Sequence, residues 1–231
     1  MNFVFPPAAA VTVPLTGGAL FFPVHRIYCV ARNYEEHARE MGHAGREPPF
    51  FFMKPADAVV VCPPGQTTPL PYPSLTGNLH HEVELVVAIG TGGKNIPVSQ
   101  ALQHIFGYAV GLDMTRRDLQ ADMKKQGRPW CIAKGFDHSA PIGPITPAAE
   151  VPGVHSAKIA LSVNGAPRQH GATSDLIWNV AETIAQLSAA WELQPGDLIY
   201  TGTPAGVAAV VRGDHLQADI EGLTPIDLQV V

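Results

Sequence analysis

Cysteine is scarce in this chain of 231 residues, which contains Cys29, Cys62 and Cys131 and no pair with CxxC spacing. An odd number of widely separated thiols predicts neither a disulfide framework nor a structural zinc site. Unpaired thiols are typical of a reducing compartment, so we expect a cytoplasmic protein.

Positive charge is also scarce, since 15 Lys and Arg residues stand against 20 Asp and Glu residues and the formal net charge is −5. The basic residues are scattered along the sequence and do not form the basic cluster that is typical of a nucleic-acid-binding protein. No apolar run reaches transmembrane length, and prolines interrupt the apolar N-terminus at positions 6, 7 and 14. We therefore expect neither a nucleic-acid nor a membrane partner.

Hydrophobic residues, by contrast, make up 46% of the chain, enough for a substantial core. The 22 prolines and 22 glycines are spread over the whole length and indicate many short strands joined by turns. The predicted fold class is mixed α/β and β-rich, in a single catalytic domain over residues 1–231. Residues 1–25 are predicted to form a strand and loop segment packed on that domain.

Two acidic residues, Glu82 and Glu84, lie inside the run EVELVVAIG, which otherwise has the composition of a buried strand. Side chains two apart in a strand point to the same face about 6.6 Å apart, so both carboxylates can converge on one ion. A divalent cation offsets the unfavourable free energy of burying them. The alternative is an edge strand whose glutamates face water.

A third acid, Asp113, follows a second apolar run in GYAVGLDM and completes a set of three oxygen ligands with the glutamates. Three carboxylates without a matching cysteine favour Mg²⁺ or Mn²⁺, with Ca²⁺ as a further option, over zinc or copper. Two alternatives stay open. Asp113 caps the following helix, or His80 joins the glutamates in a mixed histidine and carboxylate iron site.

A candidate acid–base pair lies in the helix predicted over residues 33–42. His37 and Glu40 are three residues apart on one helix face, so the carboxylate can orient the imidazole to activate water. The alternative is an exposed helix in which the two residues have no joint role.

Other polar candidates follow Asp113 in the sequence. Arg117 and Gln120 are three apart on the helix predicted over residues 115–125, so both lie on one face near that carboxylate. Lys134 follows an apolar run in WCIAKGFD, where an exposed position is the alternative. The loop 201–207, TGTPAGV, is of the kind that brings backbone amides and hydroxyls to a ligand.

The rest of the pattern predicts a framework of short strands. The aromatic run FFFMKP packs either the floor of a pocket or an ordinary core strand. The other predicted elements are strands at 26–31, 59–62 and 107–114, a loop at 63–79, a helix at 99–106, a hairpin around Asn164-Gly165, a helix at 175–191, and two closing strands at 213–231 around Gly222.

Together these segments resemble the fumarylacetoacetate hydrolase family. The similarity rests on RNYEEHAREM, FFFMKPADAV, HHEVEL, GLDMTRRDLQ, AKGFD and YTGTPAGV, which occur in that family's order over nearly the whole chain. FPVHRIYCVARNYEEHAREMG and PPFFFMKPADAVV are most similar to the bacterial fumarylpyruvate hydrolases of gentisate breakdown. The resemblance implies a β-roll with short helices like the family's C-terminal domain, a homodimer, and Mg²⁺ or Mn²⁺ held by Glu82, Glu84 and Asp113.

The resemblance also implies roles for single residues. They are the lid dyad His37 and Glu40, the substrate contacts Lys134 and Thr203, and Arg117 and Gln120 beside the metal. The implied activity is metal-dependent hydrolysis of the C–C bond of a small 1,3-diketo acid, with fumarylpyruvate giving fumarate and pyruvate. In this mechanism His37 deprotonates the attacking water, and Lys134 stabilises the enolate of pyruvate.

Other functions stay open at this point. Within the family they are acylpyruvate hydrolysis, oxaloacetate decarboxylation and dienoate isomerisation, and outside it a non-catalytic metal- and carboxylate-binding protein. The second carboxylate of fumarylpyruvate needs a cation. The candidates are Arg116, about 100° from Arg117 around the predicted helix, and Arg32 beside the lid.

Overall fold

The structure, a computed structural model, describes residues 2–36 and 46–231. Its strands are β1 (Thr12–Pro14), β2 (Phe21–Pro23), β3 (Ile27–Val30), β4 (Phe51–Lys54), β5 (Val59–Val61), β6 (Thr67–Leu70), β7 (Leu79–His80), β8 (Val83–Ile89), β9 (Ile105–Leu112), β10 (Thr115–Arg116), β11 (Ala140–Ile142), β12 (Thr146–Pro147), β13 (Lys158–Val163), β14 (Ala166–Ala172), β15 (Leu198–Tyr200), β16 (Ala209–Val210), β17 (His215–Ile220) and β18 (Ile226–Val230).

The helices in the described ranges are short. They are α1 (Val98–Ala101), α2 (Arg117–Lys125), α3 (Cys131–Lys134) and α4 (Val180–Ala190), with 3₁₀ turns at Ala56–Ala58, Leu102–His104, Ala148–Glu150, Val154–Ser156 and Thr173–Asp175. Over these same ranges, none has both the length and the apolar character needed to cross a membrane.

An eight-stranded sheet is the centre of the fold. Its order is β4-β3-β15-β8-β9-β11-β5, and β12 also pairs with β9. A five-stranded sheet has the order β14-β13-β17-β18-β6, and two small sheets have the orders β10-β7-β16 and β1-β2. Both large sheets mix parallel and antiparallel pairs. The architecture confirms the predicted mixed, β-rich fold class.

The central strand β8 is buried on both faces, as its unbroken apolar run predicts. Leu85 and Val87 belong to an apolar cluster that includes α4 and the five-stranded sheet. Val86 and Ala88 belong to a second cluster, which the N-terminal hairpin β1–β2 covers. The apolar alternation that marks a half-exposed strand is absent from β8 because both of its faces are covered.

Strand direction brings polar segments together at one edge of the eight-stranded sheet. β8 begins at Val83, and its antiparallel neighbours β9 and β15 end beside that point, so Asp113 and Gly202 lie near Glu84. β3 runs parallel to β15 and ends at the same edge, where Arg32 follows it. One edge therefore collects residues from four distant parts of the sequence.

Two predicted boundaries are wrong. The segment 63–79, predicted as a loop, contains β6, which pairs with β18 at the edge of the five-stranded sheet. The helix predicted at 99–106 is shorter, because Ile105 and Phe106 already belong to β9. In both cases pairing in a sheet prevails over local sequence preference.

The C-terminal third follows the sequence prediction more closely. Asn164 and Gly165 both have positive φ, 52° and 76°, as a two-residue turn between β13 and β14 requires. The closing strands are present as β17 and β18. The helix predicted at 175–191 begins only at Val180, because Asn179 caps it.

Candidate active site

Three buried carboxylates lie together at the edge of the central sheet. One oxygen each of Glu82, Glu84 and Asp113 lies within 4.8 Å of the others. Asp113 N–H donates to Glu82 O at 2.9 Å, which holds the end of β9 against the start of β8. Clustered carboxylate oxygens are the ligands that Mg²⁺ and Mn²⁺ prefer, so the residues present fit such an ion.

Burial and capping exclude two of the alternative interpretations. Glu82 and Glu84 are only 4% and 2% exposed, so they do not face water from an edge strand. The N-cap of α2 is Arg116, and no side chain caps that helix, so Asp113 is not a helix cap.

His80 is separate from the carboxylate cluster. The acidic stretch is not one continuous strand, because His80 ends β7 and β8 begins only at Val83. His80 Nδ1 accepts from Arg117 Nε at 3.3 Å, and His80 Nε2 lies 2.9 Å from Asn78 Oδ1. Burial and then the Arg117 charge lower the pKa of His80 to about 4. Its neutral ring supports Arg117, and among the described residues the cluster that could hold an ion contains no histidine for the iron alternative.

Three cations contact Glu82 and Asp113. Lys134 Nζ lies 2.7 Å from Glu82 Oε2 and 2.6 Å from Asp113 Oδ2. Arg117 pairs with Glu82 Oε1, and Lys54 Nζ lies 2.8 Å from Asp113 Oδ1. Burial alone lowers the pKa of Lys134, but the charges of Asp113 and Glu82 outweigh it and raise the pKa overall. Lys134 is therefore charged and buried, which excludes the exposed alternative.

Glu84 has a different partner. Gly202 N–H donates to Glu84 Oε2 at 2.7 Å, and no ion pair with Glu84 occurs in the part of the chain that the structure describes. Burial, and then the charges of Asp113 and Glu82, raise the pKa of Glu84 well above its ordinary range. A divalent cation is the partner that stabilises such a carboxylate in its ionised form.

The close approach of Gly202 to Glu84 depends on the absence of a side chain. Gly202 has φ +102°, and a Cβ there would lie 2.7 Å from Asn33 Cβ. Asn33 is itself buried, and its Nδ2 donates to Thr201 O at 2.8 Å. The loop after β15 is thus locked against the end of β3 with its amide directed at Glu84.

A pocket opens onto the carboxylates. Its lining residues are Val30, Ala31, Arg32, Phe52, Glu82, Glu84, Asp113, Arg117, Gln120, Trp130, Lys134, Gly202 and Thr203. The structure therefore brings Lys134 and the substrate-binding candidates Arg32, Arg117, Gln120 and Thr203 to one site.

Arg116 lies outside this lining. It belongs to β10 rather than to a helix beginning at 115, so the predicted 100° offset from Arg117 is wrong. Its guanidinium carbon lies 4.4 Å from the Phe136 ring centroid, and Arg116 Nη1 donates to Ile132 O at 3.1 Å. Its role as a substrate contact stays a prediction that this position does not favour.

Arg32 stands against the aromatic part of the pocket. It follows β3 with φ +55°, a left-handed conformation that is uncommon for arginine. Its guanidinium carbon lies 5.1 Å from the Phe50 ring centroid, and Phe50 packs edge-on against Trp130.

Both interpretations of the aromatic run FFFMKP hold, because Phe52 lines the pocket while Phe51 packs against the core.

His37 and Glu40, with most of the predicted helix 33–42, lie outside the described residues. The described residues on either side contact one residue, Trp178, through its backbone N–H and its indole ring. Asn33 Oδ1 accepts from Trp178 N–H at 2.8 Å, and the Arg46 guanidinium carbon lies 4.0 Å from the Trp178 ring centroid. The proposed dyad therefore stays a prediction from the resemblance.

Sequence reasoning misses two residues of the site. Lys54 is 1% exposed, forms an ion pair with Asp113 and donates to the carbonyls of Met114 and Lys134, but its position in FFFMKP does not name these partners. Trp130 lines the pocket from the turn before α3. A lysine inside an otherwise apolar strand is the one signal that could have identified the first of them.

Replacing Lys54 by methionine is expected to lower the free energy of unfolding by about 3 kcal/mol, because Asp113 stays buried with one cation fewer. Urea unfolding of the chelator-treated protein measures this. The control is Lys94→Met, at an exposed lysine, where we expect a change within about 0.5 kcal/mol. Equal changes in the two variants would show that the Lys54–Asp113 pair contributes nothing.

Comparison with known protein families gives one match over most of the chain. The family described as fumarylacetoacetate (FAA) hydrolase C-terminal matches residues 26–231. Among curated proteins, oxaloacetate tautomerase of Escherichia coli (strain K12) is 43% identical over 207 residues, 89% of this chain and 93% of its own length.

Solved structures match the whole fold. Fumarylpyruvate hydrolase from Pseudomonas aeruginosa, crystallised with Mn²⁺ and pyruvate, has a TM-score of 0.98 and 56% sequence identity over 100% of this chain and 99% of its own. A putative fumarylpyruvate hydrolase from Burkholderia cenocepacia has a TM-score of 0.92 and 46% identity over 100% and 98% of the two chains.

Proposed function

Since this chain belongs to the fumarylacetoacetate hydrolase family, we propose that it hydrolyses fumarylpyruvate to fumarate and pyruvate. The observation that carries the proposal is the buried triad of Glu82, Glu84 and Asp113 at the base of a pocket lined by Lys134 and Arg117. The similarity to a fumarylpyruvate hydrolase that binds Mn²⁺ and pyruvate supports it.

Glu82, Glu84 and Asp113 would hold Mg²⁺ or Mn²⁺. When bound, such an ion supplies Lewis-acid polarisation of the 2-oxo carboxylate end of the substrate. The carboxylates themselves are kept in place by Lys134 and Lys54, and by the Gly202 amide on Glu84.

The reaction adds water across one C–C bond. His37, oriented by Glu40, takes a proton from water, whose oxygen forms a bond to the carbonyl carbon of the fumaryl part. The bond from that carbon to the CH₂ group then breaks and leaves its electron pair as the enolate of pyruvate. Protonation of the CH₂ carbon gives pyruvate, and the other fragment is fumarate.

Lys134 stabilises the developing negative charge. Its third partner besides Glu82 and Asp113 is the hydroxyl of Thr115, 2.7 Å from Lys134 Nζ. Thr115 is the neutral one of the three partners, so a substrate oxygen replaces it at the smallest electrostatic penalty. The lysine then donates to the enolate oxygen while it still holds both carboxylates.

Metal dependence and substrate identity are tested together. After exhaustive chelation we expect no release of fumarate from fumarylpyruvate, and recovery on addition of Mg²⁺ or Mn²⁺, since the triad requires a cation to bind substrate. The assay runs beside acetylpyruvate and oxaloacetate. Full hydrolysis of fumarylpyruvate in chelator would contradict the metal requirement.

A second candidate function is tautomerisation of oxaloacetate, because curated relatives of more than 40% identity carry that name. It interconverts the enol and keto forms and breaks no C–C bond. Interconversion of oxaloacetate without release of fumarate from fumarylpyruvate would favour this function over the hydrolase.

The ligand assignment is tested most cleanly at Glu84. Glu84→Gln keeps the shape and the acceptor for Gly202 N–H but removes the charge that no cation compensates in the described structure. We expect Mn²⁺ affinity, measured by isothermal titration, to fall at least tenfold, about 1.4 kcal/mol, with little change in the melting temperature.

The exposed acid Glu192 offers a control for this measurement. Glu192→Gln removes one negative charge at a residue outside the pocket lining and should leave Mn²⁺ affinity unchanged. Equal Mn²⁺ affinity in Glu84→Gln and the unsubstituted protein would show that Glu84 is not a ligand.

The far carboxylate of fumarylpyruvate needs a separate contact, and the structure favours Arg32 for it over Arg116. Arg32 lines the pocket, whereas the Arg116 guanidinium is packed on Phe136 and bonded to Ile132 O. A bidentate arginine contact with a carboxylate is worth about 1.5 to 3 kcal/mol.

Arg32→Ala should therefore lower kcat/KM for fumarylpyruvate by roughly ten- to hundredfold and leave acetylpyruvate, which lacks that carboxylate, nearly unchanged. Arg116→Ala is the matched comparison. It should lower kcat/KM equally for both substrates, or for neither. A selective loss of kcat/KM for fumarylpyruvate in Arg116→Ala instead would assign the contact to Arg116.

The homodimer, the cytoplasmic location and the gentisate pathway are also proposals, drawn from the sequence.

A further inference from the structure

One buried amide connects the two sides of the pocket. β14 is mostly exposed, yet Gln169 within it is 1% exposed. The ladder with β13 shifts register beside it, since Leu161 pairs with Gln169 and Ser162 with Pro167. Such a bulge redirects side chains and turns this glutamine inward from an outer strand.

All four hydrogen-bonding positions of the Gln169 amide are used. Gln169 Oε1 accepts from Val83 N–H at 3.1 Å and lies 2.8 Å from His81 Nδ1. Gln169 Nε2 donates to Thr203 Oγ1 at 2.7 Å and to Pro204 O at 2.9 Å. Because Val83 N–H is an obligatory donor and Pro204 O an obligatory acceptor, the amide has one orientation only.

These partners belong to the two segments that build the site. Val83 lies between Glu82 and Glu84, and Thr203 follows Gly202, whose amide bonds Glu84. Gln169 thus ties the acidic strand to the loop after β15. Gln169 itself is absent from the pocket lining, so it acts through Thr203 and not on the substrate.

The hydrogen bond from Gln169 also decides what Thr203 offers to a ligand. Thr203 Oγ1 accepts from Gln169, so its own proton points elsewhere. In the described part of the chain that proton has no acceptor within hydrogen-bonding distance, and Thr203 lines the pocket. The hydroxyl is therefore set to donate to an oxygen atom of a bound molecule.

We propose that Gln169 is a positioning residue that orients the Thr203 hydroxyl as a hydrogen-bond donor to the 2-oxo carboxylate end of the substrate. The inference rests on the proposed function, because it assumes that the pocket takes such a group. Gln169→Glu is the informative variant. A carboxylate keeps the acceptor for Val83 and His81, but it accepts from Thr203 and turns the hydroxyl proton away from the pocket.

The test is a double-variant cycle read by titration of pyruvate into the Mn²⁺-loaded protein. Gln169→Glu and Thr203→Val should each weaken pyruvate binding about tenfold, as expected for a hydrogen bond to a charged group. Because both remove the same donor, the double variant should bind no more weakly than Thr203→Val alone. In turnover, Gln169→Glu should raise KM more than it lowers kcat. If Gln169→Glu does not fold, Gln169→Met takes its place in the cycle.

Two controls separate positioning from folding. Thr203→Ser keeps the hydroxyl and should restore pyruvate affinity. Thr173→Val removes a buried hydroxyl bonded to Val154 O outside the pocket, so it should lower stability without changing pyruvate affinity. Mn²⁺ affinity is measured for each variant, and a fall that accounts for the whole loss of pyruvate binding would overturn the inference.

Other outcomes also decide the matter. Multiplicative losses in the double variant, or absence of pyruvate binding by the unsubstituted protein, would overturn the role of Gln169. Fumarylpyruvate hydrolysis by the unsubstituted protein is measured in parallel. If the protein does not hydrolyse fumarylpyruvate but the losses of pyruvate affinity are non-additive, the proposed function fails and the positioning role of Gln169 stands. If it hydrolyses fumarylpyruvate but the two variants weaken pyruvate binding independently, the proposed function stands and the positioning role fails.

Discussion

Burial of three carboxylates at one place is the constraint on which the rest of this site depends. An ionised carboxylate in a dry interior is unfavourable by several kcal/mol unless a counter-charge or hydrogen bonds accompany it. Glu82 and Asp113 receive their counter-charge from side chains of the protein. Glu84 receives one amide hydrogen bond, and burial, followed by the charges of Asp113 and Glu82, raises the pKa of its carboxyl.

This constraint explains why the site lies at the edge of the central sheet. Lys54 comes from β4, Arg117 from the start of α2 and Lys134 from the end of α3, and none of these elements is close to β8 in sequence. Strands of both directions end at this edge and bring such separate segments to one point. The same edge admits Gly202, which reaches Glu84 because it lacks a side chain.

The sequence predicts those parts of the site whose signal is local. Glu82, Glu84 and Asp113 are conspicuous as acids next to apolar runs. In the rest of the fold, the turn at Asn164-Gly165 likewise follows from backbone preferences alone. Lys54 stands out only as a lysine in an apolar strand, and Gln169 has no local signal. Their roles come from partners at least 34 residues away in the sequence. Arg116 was misplaced for a related reason, since pairing of β10 with β7 delays the start of the helix.

Charge balance connects the buried cluster to the choice of substrate. When the three acids are ionised, the three contacting cations neutralise them. A bound divalent cation would therefore leave an excess of about two positive charges, which complements a dianion better than a monoanion. This favours fumarylpyruvate over acetylpyruvate even without a contact at the far carboxylate. Oxaloacetate is a dianion too, so charge alone does not separate the hydrolase from the tautomerase.

Length is what separates these two dianions. The carboxylates of oxaloacetate are only two carbons apart, whereas fumarylpyruvate extends by a further carbonyl and an alkene. Arg32 and Trp130 line the same pocket as the triad, so under the proposed function the far carboxylate of the longer substrate is the one expected to extend toward them. Salt should weaken the general preference for dianions through screening, while a direct contact at the partly buried Arg32 is screened less. The part of the specificity that persists at high ionic strength thus measures the contact itself.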